Sequence, residues 1–366
     1  MNKFMHYALK LAAKGRGCTS PNPMVGAVVV KNGRIVGEGY HQKAGCEHAE
    51  SIALNQAGEQ AKGAIMYVTL EPCVHYGKTP PCTDRIIKAG ISKLVIAMLD
   101  PNPIVCNKGV KTLRDKGIEI ELGEGEYEAR RLNEIFIKNM QQQRPFVIMK
   151  SALSLDGKVA TGKYDSKWIS SESSRLKVQQ LRNSVDSILI GKHTFLCDNP
   201  RLNIRLADAK ELWKIILTKN CDLDAKILEQ SAAYQNSTHK KIIVVGIDNQ
   251  QARSNMKALR DIGCKVILTT QKNGFIDLDY LLSQLLKMGI CSVMVEGGSV
   301  TNTQFFRQNC VDKIYLFHAP ILIGNDGIPF VQELNTESVK EAIRLQNIEQ
   351  ESCGDDILTI AYLREE

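Results

Sequence analysis

His48-Ala49-Glu50, then Glu71-Pro72-Cys73, then Cys82 carry the residue types from which a catalytic metal centre can be built. A catalytic zinc takes three protein ligands and keeps a fourth position open for water, and one neutral imidazole with two thiolates meets that need. Zinc held this way brings the pKa of its water close to neutrality. Glu50 follows His48 by two residues, close enough to reach that water without being a ligand. It could take the water's proton and hand it to a leaving amine, a general acid/base role. His-x-Glu followed by Pro-Cys is the start of a general signature of hydrolytic zinc sites, in which a second cysteine stands three positions on. In this chain residues 74–81 separate Cys73 from Cys82. Each piece alone is common: most His-x-Glu triplets hold no metal, and two cysteines so spaced are more often buried thiols. A structural zinc would want a fourth protein ligand, for which His75 is the near candidate. The conjunction points to a catalytic zinc, because His-Ala-Glu opens an expected helix and Glu-Pro-Cys closes an expected strand.

A second set of residues follows Pro145. Val293-Met294-Val295-Glu296-Gly297-Gly298-Ser299 reads as a strand running through a Gly-Gly turn into a helix. Glycines there let backbone approach a pyrophosphate, and the helix N-terminus supplies amides and a positive dipole. Gly-Gly after a strand is often only a turn, and no G-x-G-x-x-G with an acidic partner marks a Rossmann domain. Arg182 and Arg205 have the fork geometry for a phosphate, although either alone is more often a surface charge. In the first half, Asn22 is fixed between Pro21 and Pro23, and Lys78 beside Thr79 could hold a phosphate as a point charge. Trp168 is one of two tryptophans, and by itself reads as a core anchor.

Positioning these residues takes two domains, which the length of 366 residues allows. With 43% hydrophobic and 24% charged residues the chain can bury ordinary cores. The formal net charge is +7, of which +6 falls in residues 1–144. That suits an anionic substrate but lacks the Lys/Arg tracts of a nucleic-acid binder. No apolar run approaches the length of a spanning helix, and the first 14 residues, with Lys3, Lys10 and Lys14, lack a signal-peptide core. Eleven cysteines, an odd number without regular spacing, read as reduced thiols of a cytoplasmic enzyme.

The first half alternates strands (24–30, 34–40, 64–70, 93–98, 118–122) with helices (48–57, 83–89, 108–116, 126–140), and Asn32-Gly33 signals a hairpin. Such alternation implies a layered α/β sheet. Residues 141–145, polar and ending in proline, mark the boundary, giving domains 1–144 and 145–366. The second half repeats the alternation with strands at 146–152, 187–190, 214–217, 242–245, 266–268, 292–295 and 313–317. Helices are expected at 277–288 and 301–308, and a closing antiparallel pair at 342–348 and 356–363.

Thr19-Ser20-Pro21-Asn22-Pro23-Met24-Val25-Gly26, Gly39-Tyr40-His41, His48-Ala49-Glu50 and Thr69-Leu70-Glu71-Pro72-Cys73 resemble the cytidine/deoxycytidylate deaminase superfamily. Gly77-Lys78-Thr79-Pro80-Pro81-Cys82 and Asp100-Pro101-Asn102-Pro103 are similar to one branch of it, the bifunctional riboflavin-biosynthesis deaminase–reductases. The longer cysteine spacing belongs to that branch. Lys150-Ser151-Ala152-Leu153-Ser154-Leu155-Asp156-Gly157-Lys158 resembles the opening of its reductase half, so the likeness runs over essentially the whole chain.

The resemblance implies a cytidine-deaminase-like α/β/α layered domain followed by a dihydrofolate-reductase-like α/β domain. It implies two reactions on small phosphorylated pyrimidines: deamination with one Zn2+ on His48, Cys73 and Cys82 and Glu50 as proton carrier, then NADPH-dependent reduction of ribosyl to ribityl. Asn22, His41 and Lys78 would bind the pyrimidine and its phosphate arm. Ala152, Trp168, Thr194, Asp198, Gly298, Ser299, Val300, Thr301, Asn302, Thr303 and Gln304 would contact NADPH. Ser166, Arg182, Leu202, Arg205 and Glu296 would surround the substrate, with Lys150 and Asp198 handling protons or positioning. It further implies a homo-oligomer, dimer or tetramer, with no nucleic-acid or membrane partner. The alternative is a nucleic-acid or free-nucleotide zinc deaminase with an accessory domain; a nucleic-acid deaminase would interleave basic and aromatic residues, whereas this chain is 6% aromatic. A zinc-stabilised interaction module would have no use for Glu50.

Overall fold

Asn32 and Gly33 take positive φ values of 50° and 74°, as a two-residue primed hairpin turn requires, and Lys31 pairs with Arg34 across them. This hairpin starts the sheet of the first of two units, Met1–Gln143 and Arg144–Glu366, in a computed structural model that describes residues 1–74, 80–103, 105–207 and 209–363. The division falls one residue before the expected boundary. Arg144 goes with the second unit because its guanidinium bonds Asp279 (3.2 Å) and the Asn309 carbonyl (3.4 Å).

The first unit holds a five-stranded sheet in the order Arg34–Tyr40, Gly26–Lys31, Ile65–Val68, Lys93–Ile96, Glu119–Leu122. Gly26–Lys31 is antiparallel to both neighbours, and the remaining pairs are parallel. Gly37 and Gly39 let the helix Ala49–Ala57 lie directly on the hairpin. A Cβ at these positions would stand 2.1 Å from the Ala53 carbonyl oxygen and 2.5 Å from that of Ala49. That close approach sets the height of His48 and Glu50 over the sheet.

Two helices differ from expectation. Lys3–Ala13 went unrecognised; Asn2 caps it by accepting from the Phe4 amide, and Met5, Ala8, Leu9, Leu11 and Ala12 are buried. The single helix expected over 126–140 is two, Glu126–Leu132 and Glu134–Gln142. Between them buried Asn133 clamps Met24, accepting from its amide (2.8 Å) and donating to its carbonyl (3.0 Å).

The second unit is built on a nine-stranded sheet in the order Lys265–Thr269, Ile242–Ile247, Trp213–Leu217, Ser187–Gly191, Ser292–Val295, Phe146–Ser154, Lys313–Ala319, Asp356–Tyr362, Gln346–Cys353. The first seven run parallel and the last two close the sheet antiparallel. The closing pair begins at Gln346 rather than 342, because Val339–Glu341 forms a 3₁₀ turn. Helices Leu278–Lys287 and Ser299–Arg307 pack Leu281, Leu282, Leu285, Phe305 and Phe306 into one core with Val147, Ile215, Ile243 and Val293. Both units are thus layered α/β structures. Among the described residues no helix is long and apolar enough to cross a membrane.

Candidate active sites

His48 is the N-cap of Ala49–Ala57, Glu50 sits in that helix's first turn, and Cys82 is the first residue of Cys82–Ala89. Cys73 follows the strand Ile65–Val68 through Thr69-Leu70-Glu71-Pro72. Two helix starts therefore converge on one point, where their amides and dipoles favour thiolates. His48 Nδ1 lies 3.2 Å from Cys82 Sγ and 3.5 Å from Cys73 Sγ, and the three donor atoms fall within 4.8 Å of one another. Tetrahedral zinc with bonds of about 2.0–2.3 Å wants its N and S ligands roughly 3.6–3.8 Å apart. The donor set fits the metal.

The electrostatics agree. The Cys82 thiol donates to Cys73 and, with His48 also beside it, holds the Cys73 thiol down to about 4. The same bond and burial push Cys82 up, and the bond to Cys73 raises His48. A divalent metal would deprotonate both thiols. Glu50 is 4% exposed, and burial raises its carboxyl, with the Cys73 thiolate adding to the effect and a bond to the Cys82 thiol opposing it.

His41 lies edge-on to His48 at 5.7 Å between ring centroids, and burial lowers its pKa. Its Nδ1 meets the Glu47 carbonyl (3.1 Å), so Nδ1 carries the proton and Nε2 accepts from Asn22 Nδ2 (3.1 Å). Asn22 and His41 thus sit together beside the donor set. Lys78, like His75, lies outside the described residues. Sequence reasoning gave Glu71 no role beyond its motif. Its buried carboxylate accepts from the backbone N–H groups of Asp100 (3.1 Å), Asn107 (3.0 Å), Gly109 (2.9 Å) and Val110 (3.2 Å). This fastens the Asp100-Pro101-Asn102-Pro103 segment and the start of the helix Lys108–Asp115 to the strand end that presents Cys73. A single charge in an otherwise uncharged run, Tyr67 to Cys73, was the available signal.

In the second unit a cavity of about 700 Å³ opens at the carboxyl ends of the adjacent parallel strands Ser187–Gly191 and Ser292–Val295 and beside Phe146–Ser154. Such strand ends are where open α/β sheets bind ligands. Ala152 lines it from Phe146–Ser154, and Thr194 and Asp198 from the helix Lys192–Asp198. Gly298, Ser299, Val300 and Thr301 line it from the turn and first residues of Ser299–Arg307. Ser166, Trp168, Arg182, Leu202, Arg205 and Glu296 complete the expected set. Asn302, Thr303 and Gln304 do not line the cavity. Their positions on the helix turn them inward, where Asn302 donates to the Phe330 carbonyl, Thr303 to that of Ser299 and Gln304 to that of Ile276.

The cavity fits a dinucleotide phosphate. The Ser299 hydroxyl is buried and unpartnered at the helix start. A Cβ on Gly297 would lie 2.6 Å from Thr301 Cβ, and one on Gly298 3.2 Å from Thr194 Oγ1, so only bare backbone leaves room there.

Arg182 does not present a free fork. Its Nε and Nη2 grip the Glu296 carboxylate at 2.7 and 2.9 Å, and Nη1 donates to the Asn203 carbonyl at 3.0 Å. Burial alone would raise Glu296, but Arg182 and Lys150 hold it down to about 2. Burial lowers Lys150 against the pull of Glu296. Burial also raises Asp198, opposed by Lys167 and His193. Arg205 is exposed at the cavity wall, its backbone N–H fixed on Gln179 at 2.9 Å.

Residues 1–98 match the cytidine and deoxycytidylate deaminase zinc-binding region, and residues 145–359 match the RibD C-terminal domain. The riboflavin biosynthesis protein RibD of Aquifex aeolicus (strain VF5) is 43% identical over 358 residues, 97% of this chain and 96% of that protein. That of Escherichia coli (strain K12) is 37% identical over 356 residues, 97% of each chain. The solved structure of Acinetobacter baumannii RibD, form 1, superposes with a TM-score of 0.88 at 34% identity, covering 99% of this chain and 98% of that one. The diaminohydroxyphosphoribosylaminopyrimidine deaminase/5-amino-6-(5-phosphoribosylamino)uracil reductase of Thermotoga maritima gives 0.86 at 35% identity, with 99% and 98% covered. With a deaminase zinc-binding region joined to a RibD C-terminal domain and relatives aligned nearly end to end, this chain belongs to the RibD family of riboflavin-biosynthesis deaminase–reductases.

Proposed function

We propose that the two reactions of the family fall one to each unit. Met1–Gln143 carries the hydrolytic deamination of 2,5-diamino-6-(5-phosphoribosylamino)pyrimidin-4(3H)-one. Arg144–Glu366 carries the NADPH-dependent reduction of the ribosyl group of 5-amino-6-(5-phosphoribosylamino)uracil to ribityl. The observation that supports this best is the buried Glu50 carboxyl against the His48, Cys73 and Cys82 cluster. That combination serves hydrolysis at a metal and nothing structural.

Zinc, when bound, supplies Lewis acidity and a water of near-neutral pKa. With zinc bound, Glu50 would take the water's proton and deliver it to the amine nitrogen, so that the water's oxygen would end on the ring carbon and ammonia would leave. The Asn22–His41 pair holds the pyrimidine edge. In the second unit the amides and free hydroxyl at Ser299 bind cofactor phosphate, and Arg205, which among the described residues forms no ion pair with a carboxylate, takes the substrate phosphate. Bound NADPH supplies the hydride. A hydride delivered to C1′ would open the bond from C1′ to the ring oxygen, and that oxygen would need a proton. Lys150, half-buried beside Glu296, would give it, with Asp198 as the second titratable group of the cavity. Eleven free thiols suit a reducing, cytoplasmic compartment.

Incubation of the purified chain with the phosphorylated diaminopyrimidine, with product masses read, tests the division. Without NADPH only the deaminated uracil should form, and with it the ribityl product. Reduced product that still carries the 2-amino group would reverse the order and sink the assignment. Cys82→Ser should lose most of its zinc on metal analysis and lose deamination with it, while reduction of supplied deaminated substrate continues. Zinc at full stoichiometry in that variant would remove Cys82 from the ligand set.

A further inference from the structure

Trp168 is 68% exposed although it lines the cavity of the second unit. An indole on a loop ordinarily samples several rotamers, and holding one costs side-chain entropy. Here the Arg175 guanidinium lies 4.8 Å from the centroid of the Trp168 ring. Arg175 is itself held at two points. Its backbone belongs to the helix Glu172–Ser184, which Ser171 caps, and its Nη1 donates to the Ser170 carbonyl at 2.6 Å. Among the described residues it forms no ion pair with a carboxylate, unlike Arg182, which Glu296 neutralises.

One face of the indole is therefore covered by a fixed, planar cation, and an exposure of 68% leaves the opposite face open. The fork matters, because a lysine at 175 would keep the charge but has no second rigid N–H to bond Ser170 while its charge stays over the ring. We propose that Arg175 is a positioning residue for the reductase step, holding Trp168 as a stacking face for a flat heteroaromatic ring of NADPH. The inference rests on the reading that Trp168 contacts the cofactor. It adds the residue that sets that contact, which the sequence patterns left unmarked.

The test is a double-mutant cycle on the full-length, zinc-loaded enzyme, reading the Kd for NADPH by calorimetry and steady-state reduction of deaminated substrate. Arg175→Ala should raise the Kd about 3- to 10-fold, the scale of a partly exposed cation–π contact. The kcat at saturating NADPH and the KM for the uracil substrate should stay within twofold. Trp168→Ala should raise the Kd by about 10-fold or more, and the double variant should match Trp168→Ala alone, because Arg175 acts through the ring. Arg175→Gln, which keeps a donor for Ser170 without the charge, stands in if Arg175→Ala does not fold and should weaken NADPH in the same way. Additive effects, or a rise in substrate KM with NADPH affinity unchanged, would overturn the positioning role. If Trp168→Ala leaves NADPH affinity unchanged, the cofactor reading of Trp168 falls and this inference with it. If Trp168→Ala weakens NADPH but both Arg175 variants do not, the inference alone fails.

Discussion

Glu50→Gln is expected to keep its fold and its zinc and to lose deamination by about 10²–10⁴-fold, the usual contribution of one general acid/base group. The amide has the carboxylate's shape and still fits the first turn of Ala49–Ala57, but it cannot accept the water's proton. Metal analysis, circular dichroism and ammonia release give the three readouts, and NADPH oxidation with supplied deaminated substrate should be unchanged. Burial moves the Glu50 carboxyl up from the ordinary carboxylate range. The sign follows from that direction. Below the raised pKa the carboxyl is already protonated and cannot act as base, so deamination by the wild type falls as pH drops through it. The residual rate of Glu50→Gln should lack that acid limb. Deamination within a few-fold of wild type would show that another group carries the proton.

Glu296→Gln is expected to destabilise the second unit by about 3–5 kcal/mol, the cost of removing one partner of a buried ion pair. The variant keeps the volume and one acceptor for Arg182 but removes the charge that compensates both Arg182 and Lys150. For a unit of this size the loss corresponds to a fall of roughly 6–20 °C in unfolding temperature, read by calorimetry. The pH dependence supplies a second check. The folded Glu296 carboxyl stands near 2, below its ordinary 4.5, so its contribution is fully present above pH 4.5 and drains away as pH falls towards 2. The stability gap between wild type and Glu296→Gln should close over that window. NADPH-dependent reduction should fall as well, since Arg182, held by one acceptor in place of two, grips the cavity wall at Asn203 less firmly. A Tm within a degree of wild type would mean that the pair contributes nothing net and that its geometry alone matters.

Much of this protein was legible in the residues because the relevant information is local. Two-residue and near-helical periodicities pointed to the strands and helices of two α/β layers, and a polar stretch ending in Pro145 is the feature that suggested a junction. His48, Glu50 and Cys82 were recognisable because each sits where a helix begins, and Cys73 because it follows a strand. Residue type and position relative to an element end are properties a sequence displays.

The tertiary structure decided which groups are free and which are spent. Arg182 has the chemistry of a phosphate fork, but Glu296, 114 residues away, takes both of its outward N–H groups. Asn302, Thr303 and Gln304 are polar and follow a glycine turn, yet the helix phase points them at the carbonyls of Phe330, Ser299 and Ile276. The helix expected over 126–140 is broken because Asn133 reaches the backbone of Met24. Glu71 is committed to four amides of the segment that follows the next strand, and Arg175 is turned onto Trp168. In each case the deciding partner is remote in the chain or set by packing. The free energy of a polar group depends on that partner and on burial, neither of which local pattern carries.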